Sequence, residues 1–477
     1  MSPARQYAVL AICCCSAFIT GIGVTLVNLA LPAIRRDLDA TTSDLQWVIN
    51  AYALPVATLL ILAGRLADRI GRKKVFQAGL LVFGVGSLGC GLATTIDQLL
   101  IMRAIQALGG SMLNPVALSI ISTTFGDHRR RSRAIGVWGA VAGISLAAGP
   151  VIGGVLVDTA GWRSLFLMNA PVVLFVAVLV RVYVPDSRAT RFRRFDPLGQ
   201  FLVIVTLSFF VYGVTETREV GWVSWQTFGC LISAAVTFGL FLLYAFGSQE
   251  PIVDPRLFTK LAFAGSNLAG VCCLAALAGF LFLNSLYLQE TRGFTAYTAG
   301  LLTLPMALAA VTTSPLAGRL IARHGGPVAL VLGGLGTAAG AAVLAGNTAE
   351  GPLWQLFAGY VIFGFGFGMT NPAVTTIAIS CLPAEEAGAA GGIISTSRQV
   401  GICSGVAIVG AIVPGRGEDA QLAATAGFSA TAWLVLSLCG VSISALGTVM
   451  SFVTVRDHRV RAAPGPSPRH ADTLDVT

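Results

Sequence analysis

Charge is scarce in this 477-residue chain: Asp, Glu, Lys and Arg together make up 11% of it, against about 25% in a soluble protein. So few charges cannot cover a water-facing surface. The length would suggest roughly three domains of about 150 residues in a soluble chain, and that reading fails here. Lysine is nearly absent, with 3 residues against 28 arginines, and no Lys is followed by Ser or Thr. This excludes a G-x-x-x-x-G-K-[ST] phosphate loop, and with it ATP hydrolysis of the P-loop kind. Histidine is limited to His128, His324, His458 and His470, and H-E-x-x-H is missing. The 10 cysteines all lie in apolar stretches and none forms C-x-x-C. They read as small packing residues, so neither a disulfide framework nor a metal or cofactor site is expected. Without clustered catalytic residues or a long polar loop, the chain does not read as an enzyme or a sensor.

What is abundant is apolar sequence: 55% of residues are hydrophobic and mean hydropathy is +0.78. A membrane helix needs about 20 mostly apolar residues. Fourteen such runs are present, at 8–31, 45–63, 75–93, 98–121, 134–156, 165–183, 197–215, 226–246, 262–284, 298–317, 327–346, 354–376, 390–413 and 427–453. The first is too long for a signal-peptide core and lacks a small-x-small cleavage site, so it reads as a retained helix. With the N-terminus in the cytoplasm, cytoplasmic segments hold 23 of the Lys and Arg residues and outer loops hold 6. That asymmetry is a positive-inside signal rather than a nucleic-acid footprint. An even helix count leaves both termini in the cytoplasm. The tail at 456–477, with Pro464, Pro466 and Pro468, reads as disordered.

The chain also repeats itself. Gly64-Arg65-Leu66-Ala67-Asp68-Arg69-Ile70-Gly71 recurs as Gly318-Arg319-Leu320-Ile321-Ala322-Arg323-His324-Gly325, an offset of 254. Met112-Leu113-Asn114-Pro115 recurs as Met369-Thr370-Asn371-Pro372, an offset of 257. The copies follow helices 2 and 10 and lie in helices 4 and 12, so the repeat advances by eight helices. Two six-helix bundles separated by an inserted helical hairpin explain this. The expected divisions are 1–184, an insert at 185–260 containing helices 7 and 8, 261–455, and the tail. Parallel six-helix repeats enclose a cavity at the bilayer midplane that opens alternately to either side, which points to a secondary transporter.

The string from Gly64 to Lys74 is expected in a short cytoplasmic loop. Gly64 and Gly71 permit close approach and a tight turn. Asp68 either caps a neighbouring helix or pairs with an Arg, latching one conformation. The string resembles the loop signature of the major facilitator superfamily, and the rest of the chain is similar to its fourteen-helix drug:proton antiporter family. Arg103 through Gly110 resembles that family's helix 4 motif. Gly139, Gly143, Gly149, Pro150, Gly153 and Gly154 resemble its helix 5 antiporter motif. Trp162-Arg163, Phe166, Asn169 and Pro171 match the start of helix 6, and Asp196-Pro197-Leu198-Gly199 the entry to helix 7. Tyr287-Leu288-Gln289 and the stretch from Gly300 to Pro305 match helices 9 and 10, and Arg398-Gln399 with Gly401 matches helix 13.

The resemblance implies an all-α membrane fold and a monomer in the bacterial inner membrane. It implies proton-coupled export of small amphipathic drugs or antibiotics, with no cofactor. The latch is assigned to Gly64, Asp68, Arg69, Gly71 and Arg72, and proton coupling to Asp68, Arg103 and Glu216. A charge inside a span costs about 2.5 kcal/mol or more, so Arg103 should face the bundle interior. It serves there either in proton transfer or as a structural donor. The glycines of helix 5 also form a smooth packing face, with Pro150 as a bend. Arg398 either approaches the cavity or snorkels to the interface. Thr25, Asn28, Asn50, Tyr52, Gln106, Asn114, Asn284, Tyr360, Phe363 and Asn371 complete the expected cavity lining.

The chain departs from the family at Gly23, where an Asp is typical, and none of its 22 acidic residues falls clearly at mid-membrane. A buried carboxylate is the usual attractor for a hydrophobic cation. Its loss, with Arg103 and Arg398 retained, shifts the expected cargo toward neutral or weakly anionic amphipathic molecules. A dedicated exporter of one endogenous secondary metabolite is the main alternative. Proton-driven import is a lesser one, against which the helix 5 pattern argues.

Overall fold

The computed structural model describes residues 2–188, 196–221, 223–347, 351–382, 387–412 and 436–450, apart from the side chains of residues 128, 218, 219 and 387–390. Its helices in chain order are α1 Pro3–Leu38, α2 Thr42–Ile70, α3 Arg72–Leu92, α4 Ile96–Thr124 and α5 His128–Ala160. They continue as α6 Ser164–Tyr183, α7 Pro197–Val220, α8 Trp225–Gly247, α9 Leu261–Leu286, α10 Ala296–His324, α11 Gly326–Ala345, α12 Leu353–Ser380 and α13 Ala387–Ile412. The last is α14, Leu436–Met450. Thirteen are long and apolar enough to cross a membrane, and α14 is shorter as described. The remainder of the fourteenth apolar run, at 427–435 and 451–453, and the tail lie outside the described residues.

Helix starts follow local capping chemistry. Thr41 and Asp44 form a reciprocal capping box at α2, and Thr95, Asp127, Ser224 and Thr295 each accept from a backbone N–H of the first turn that follows. One expectation is corrected. The Gly64–Ile70 motif is not loop but the last two turns of α2, and the turn to α3 is the single residue Gly71, at φ +121°. Arg65, Leu66, Ala67 and Arg69 are good helix formers, and nothing breaks the helix before a glycine free to adopt positive φ. The second copy behaves alike: α10 runs through Gly318 to His324 and stops at Gly325, at φ +85°.

The repeat is written into the packing. Side chains are excluded where Gly79 and Gly86 of α3 meet Gly109 and Gln106 of α4. Gly333 and Gly340 of α11, each 254 residues on, meet Gly366 and Phe363 of α12 in the same way. Gly21 lies against Ser145 between α1 and α5, and Ala275 against Gly405 between α9 and α13. Each helix pairing of the first six thus has its counterpart eight helices later. The two halves meet along two seams, α5 with α10 and α2 with α13. These seams are related by the repeat as well. Gly300 abuts the Pro150 carbonyl in one, while Gly410 abuts Gln46 in the other.

The hairpin α7–α8 stands outside this scheme. Asp196 caps α7 through Gly199 N (2.9 Å) and accepts from Tyr244 Oη of α8 (2.8 Å) and Ile252 N (2.9 Å), which closes the base of the hairpin. Helix α7 is bonded to α2 at three heights: Gln200 Nε2 to Thr58 O (2.7 Å), Asn50 Nδ2 to Thr215 Oγ1 (3.4 Å) and Trp47 Nε1 to Glu216 Oε1 (2.8 Å). It also packs on α13, and so covers the α2–α13 seam.

Candidate functional site

At the bundle end where α1 finishes, called here the Arg35 end, the two halves are locked together. Arg35 pairs with Glu290 at 2.6 Å. Ser285 Oγ donates to Asn28 O (2.6 Å) and Gln289 Nε2 to Leu29 O (3.0 Å). Asp158, at the end of α5, accepts from the backbone N–H groups of Ala296 (3.2 Å) and Tyr297 (2.8 Å), capping α10 across the seam. A carboxylate at a helix N-terminus satisfies orphan donors and complements the helix dipole. Gly154 fits against the backbone of the same two residues, leaving no space for a side chain.

Toward the opposite end, which carries the Arg65–Lys74 stretch, the α5–α10 seam is splayed. A Cβ built at Gly136, Gly139 or Gly143 of α5, or at Gly318 of α10, meets nothing within 4 Å. The helix 5 motif therefore divides. Gly139 and Gly143 border open space, whereas Gly149, Pro150, Gly153 and Gly154 form the tight face on α1 and α10. The result is a cleft between α5 and α10, closed at the Arg35 end and open toward the basic end, where α2 and α13 still approach each other (a Cβ on Gly392 would lie 3.6 Å from Ile61).

The expected site residues fall into two groups. Asn114 accepts from Thr20 Oγ1 (3.3 Å), and Asn371, its repeat equivalent, accepts from Arg398 Nη2 (2.7 Å). These three expected residues are only partly buried, and Gly23 also borders open space. Tyr52 is partly buried as well, and the remaining expected residues are enclosed. Thr25 is buried in the α1–α5 seam against Gly149, its hydroxyl turned to Ile22 O (3.1 Å). Asn28 is buried and donates to Val24 O (2.8 Å), with its side-chain oxygen unpartnered. Asn50 faces the hairpin. Asn284 and Tyr360 are bonded to each other inside the second half, where Phe280 stacks on Phe363 (4.7 Å) and meets Tyr360 edge-on (5.4 Å). Aromatic area is best buried within a rigid half, which explains why Tyr360 and Phe363 are fully enclosed.

Arg103 is likewise internal to the first half and 4% exposed. Its Nε donates to Val48 O (3.0 Å) and its Nη1 to Gln106 Oε1 (2.7 Å), while Gln106 donates to Ser87 Oγ (2.5 Å). Asn169 of α6 reaches the same Ser87 (3.2 Å). The guanidinium lies over Tyr52 (4.6 Å) and Phe166 (5.7 Å). Neutral acceptors and aromatic faces thus hold this charge without a carboxylate. The network links four helices and accounts for the helix 6 motif residues Phe166 and Asn169. Trp162 and Arg163 of that motif bind Asp37 instead, at 3.1 and 2.5 Å.

Asp68, in the last turn of α2, pairs with Arg72, the first residue of α3, at 3.1 Å across the Gly71 turn, the second of the two expected roles. Arg65 donates to Pro251 O (3.0 Å), tying the motif to the segment that follows the hairpin. Glu216 accepts from Trp47 and from Ser43 Oγ (3.4 Å). Sequence reasoning missed Asp158, Ser285 and the Arg35–Glu290 pair, whose partners lie more than 100 residues away. Among the described residues no cluster of His, Cys, Asp and Glu is suited to a metal.

Two repeated helical halves around a one-ended cleft define a membrane transporter. The chain belongs to the Major Facilitator Superfamily, whose family model matches residues 13–406. It is 36% identical over 397 residues to multidrug resistance protein Stp of Mycobacterium tuberculosis, covering 83% of this chain and 74% of that one. It is 34% identical over 401 residues to the tetracenomycin C resistance and export protein of Streptomyces glaucescens, with 83% and 73% covered. It is 31% identical over 430 residues to methyl viologen resistance protein SmvA of Salmonella typhimurium, with 89% and 86% covered. Its fold matches the crystal structure of a bacterial homologue of the lysosomal transporter Spinster, described as inward-facing and unoccupied. That match has a TM-score of 0.67 and 18% identity, and covers 96% of this chain and 99% of that one.

Proposed function

We propose that this protein exports small amphipathic drugs or antibiotics from the bacterial cytoplasm across the inner membrane by proton-coupled alternating access. The cleft, bonded shut at the Arg35 end and splayed at the other, carries the reading. With the basic loops and both termini in the cytoplasm, the cleft faces inward. Residues 1–184 and 261–455 act as the two rocking halves, and the hairpin within 185–260 travels with the first through its bonds to α2. The protein works as a monomer. In the opposite state Asp68 exchanges its Arg72 contact for one with the second half, so that Gly64, Asp68, Arg69, Gly71 and Arg72 latch the cytoplasmic side.

A proton gradient is sufficient as the driving force. One charge moving through about 100 mV supplies about 2.3 kcal/mol, and each pH unit adds about 1.4 kcal/mol. Resistance profiling of an efflux-deficient host expressing the chain tests the reading. Raised resistance that a protonophore abolishes is expected, and an unchanged profile would sink the exporter assignment. Asp68→Asn should abolish efflux while leaving the amount of protein in the membrane unaltered. Full efflux by this variant would remove Asp68 from the coupling and the latch.

A dedicated exporter of one secondary metabolite is the second reading. The absence of an acid at Gly23 favours it, and resistance confined to a single compound would distinguish it.

A further inference from the structure

Arg103 and Arg398 both lie within spans, yet they are held differently. Arg103 is enclosed by aromatic rings and bonded through two of its nitrogens. Arg398 uses only Nη2, which donates to Asn371 Oδ1 (2.7 Å), Thr375 Oγ1 (2.7 Å) and, more weakly, Asn371 O (3.5 Å). Its Nε is buried without a hydrogen-bond partner. All three acceptors are neutral. The ion pairs Arg35–Glu290, Arg72–Asp68 and Arg163–Asp37 all lie at helix ends, and none includes Arg398. Arg398 stands on the span Gly391–Ile412, about 10 Å along the helix from Gly391 at 1.5 Å per residue. It bridges α13 to α12 and is partly exposed, as are Asn371 and Asn114.

A guanidinium in a low-dielectric span without a counter-charge is a poor structural element, because its solvation has been given up and nothing of opposite sign replaces it. Asn371 and Thr375 fix its position without neutralising it. An oxyanion supplies both things it lacks, an acceptor and a negative charge. We propose that Arg398, positioned by Asn371 and Thr375, is the subsite for a single anionic group, a carboxylate, enolate or phenolate, on an amphipathic substrate whose apolar body occupies the cleft. The assignment rests on the exporter reading and names the chemical class of its cargo. It also gives Gly23 a rationale, since an Asp at that position would add to the same cleft a negative charge repelling such a substrate.

The test uses purified full-length protein in lipid nanodiscs and three fluorescent probes of similar size: dansylglycine (anionic), dansylglycinamide (neutral) and dansylcadaverine (cationic). The wild-type protein should bind dansylglycine at least about tenfold more tightly than the amide, as expected for one charge-assisted hydrogen-bonded contact, and the amine least. Arg398→Gln should abolish the preference by weakening the anion alone, while Arg398→Lys, which keeps the charge but loses the fork, should retain part of it. The order among the probes tests the wild-type protein even where Arg398→Gln fails to fold. Equal affinities, binding of none of the probes, or a preference that survives Arg398→Gln would overturn the proposal.

Proteoliposomes from the same preparation separate the two readings. Export of ethidium without any carboxylate preference leaves the exporter standing and removes the anion subsite. An Arg398-dependent preference with no transport under an imposed proton gradient does the reverse.

Discussion

Gly300→Val should stop transport. In the seam between α5 and α10, Gly300 lies against the Pro150 carbonyl, and any Cβ there would overlap backbone rather than a side chain that can rotate away. Overpacking of this kind destabilises the contact by about 1–3 kcal/mol, which shifts the gating equilibrium by about 5- to 150-fold away from the state with a closed Arg35 end. Membrane insertion should be normal, because the strain exists only while the seam is closed. Drug efflux should fall by about fivefold or more. Spin labels at Leu92 and Trp354 sit at the Arg35 end of opposite halves on positions that are 71% and 70% exposed. In a background without native cysteines, the distance between them should lengthen. Wild-type efflux with an unchanged distance would show that the seam does not close as described. The repeat-related substitution, Gly410→Val, should act more mildly, because the opposing group is the flexible Gln46 side chain.

Asp158→Ala should open the same end by a different route. The carboxylate receives two backbone hydrogen bonds from the first turn of α10, at 3.2 and 2.8 Å. Hydrogen bonds to a charged group contribute about 1.5–3 kcal/mol each where water is excluded, and less at the exposed Asp158. Losing both should raise the fraction of molecules open at the Arg35 end by about tenfold or more. The Leu92–Trp354 distance distribution should gain a longer component, and Asp158→Asn, which keeps one acceptor, should fall between. If Asp158→Ala leaves the distribution unaltered, the Arg35–Glu290 pair and the glycine seam hold the gate without this cap.

Much of this architecture could be read beforehand because it rests on periodic and repeated signals. Apolar runs marked the helices, and two short strings at nearly constant offset revealed the repeat. The same offset governs the glycine contacts of α3–α4 and α11–α12 and the crossed pairs Gly300–Pro150 and Gly410–Gln46. Individual polar side chains were another matter. Thr25, Tyr360 and Phe363 lie on cleft-lining helices but turn toward neighbours in their own half, and only three-dimensional packing decides which side of a helix meets the cleft. Helix length was also underestimated. Arg65, Asp68 and Arg69 ended the apolar run, yet arginine is a good helix former and α2 continues beyond the apolar run. Asp158 could not be foreseen at all, since its partners are backbone N–H groups 138 and 139 residues away.

The placement of α7 makes the two flanks of the molecule unequal. On one side, a helix bonded to α2 at three heights roofs the junction with α13. On the other, among the described residues, the α5–α10 junction has no such roof and widens past Gly143. In the orientation proposed above, a greasy molecule dissolved in the inner leaflet would come in past helix 5 without first returning to water.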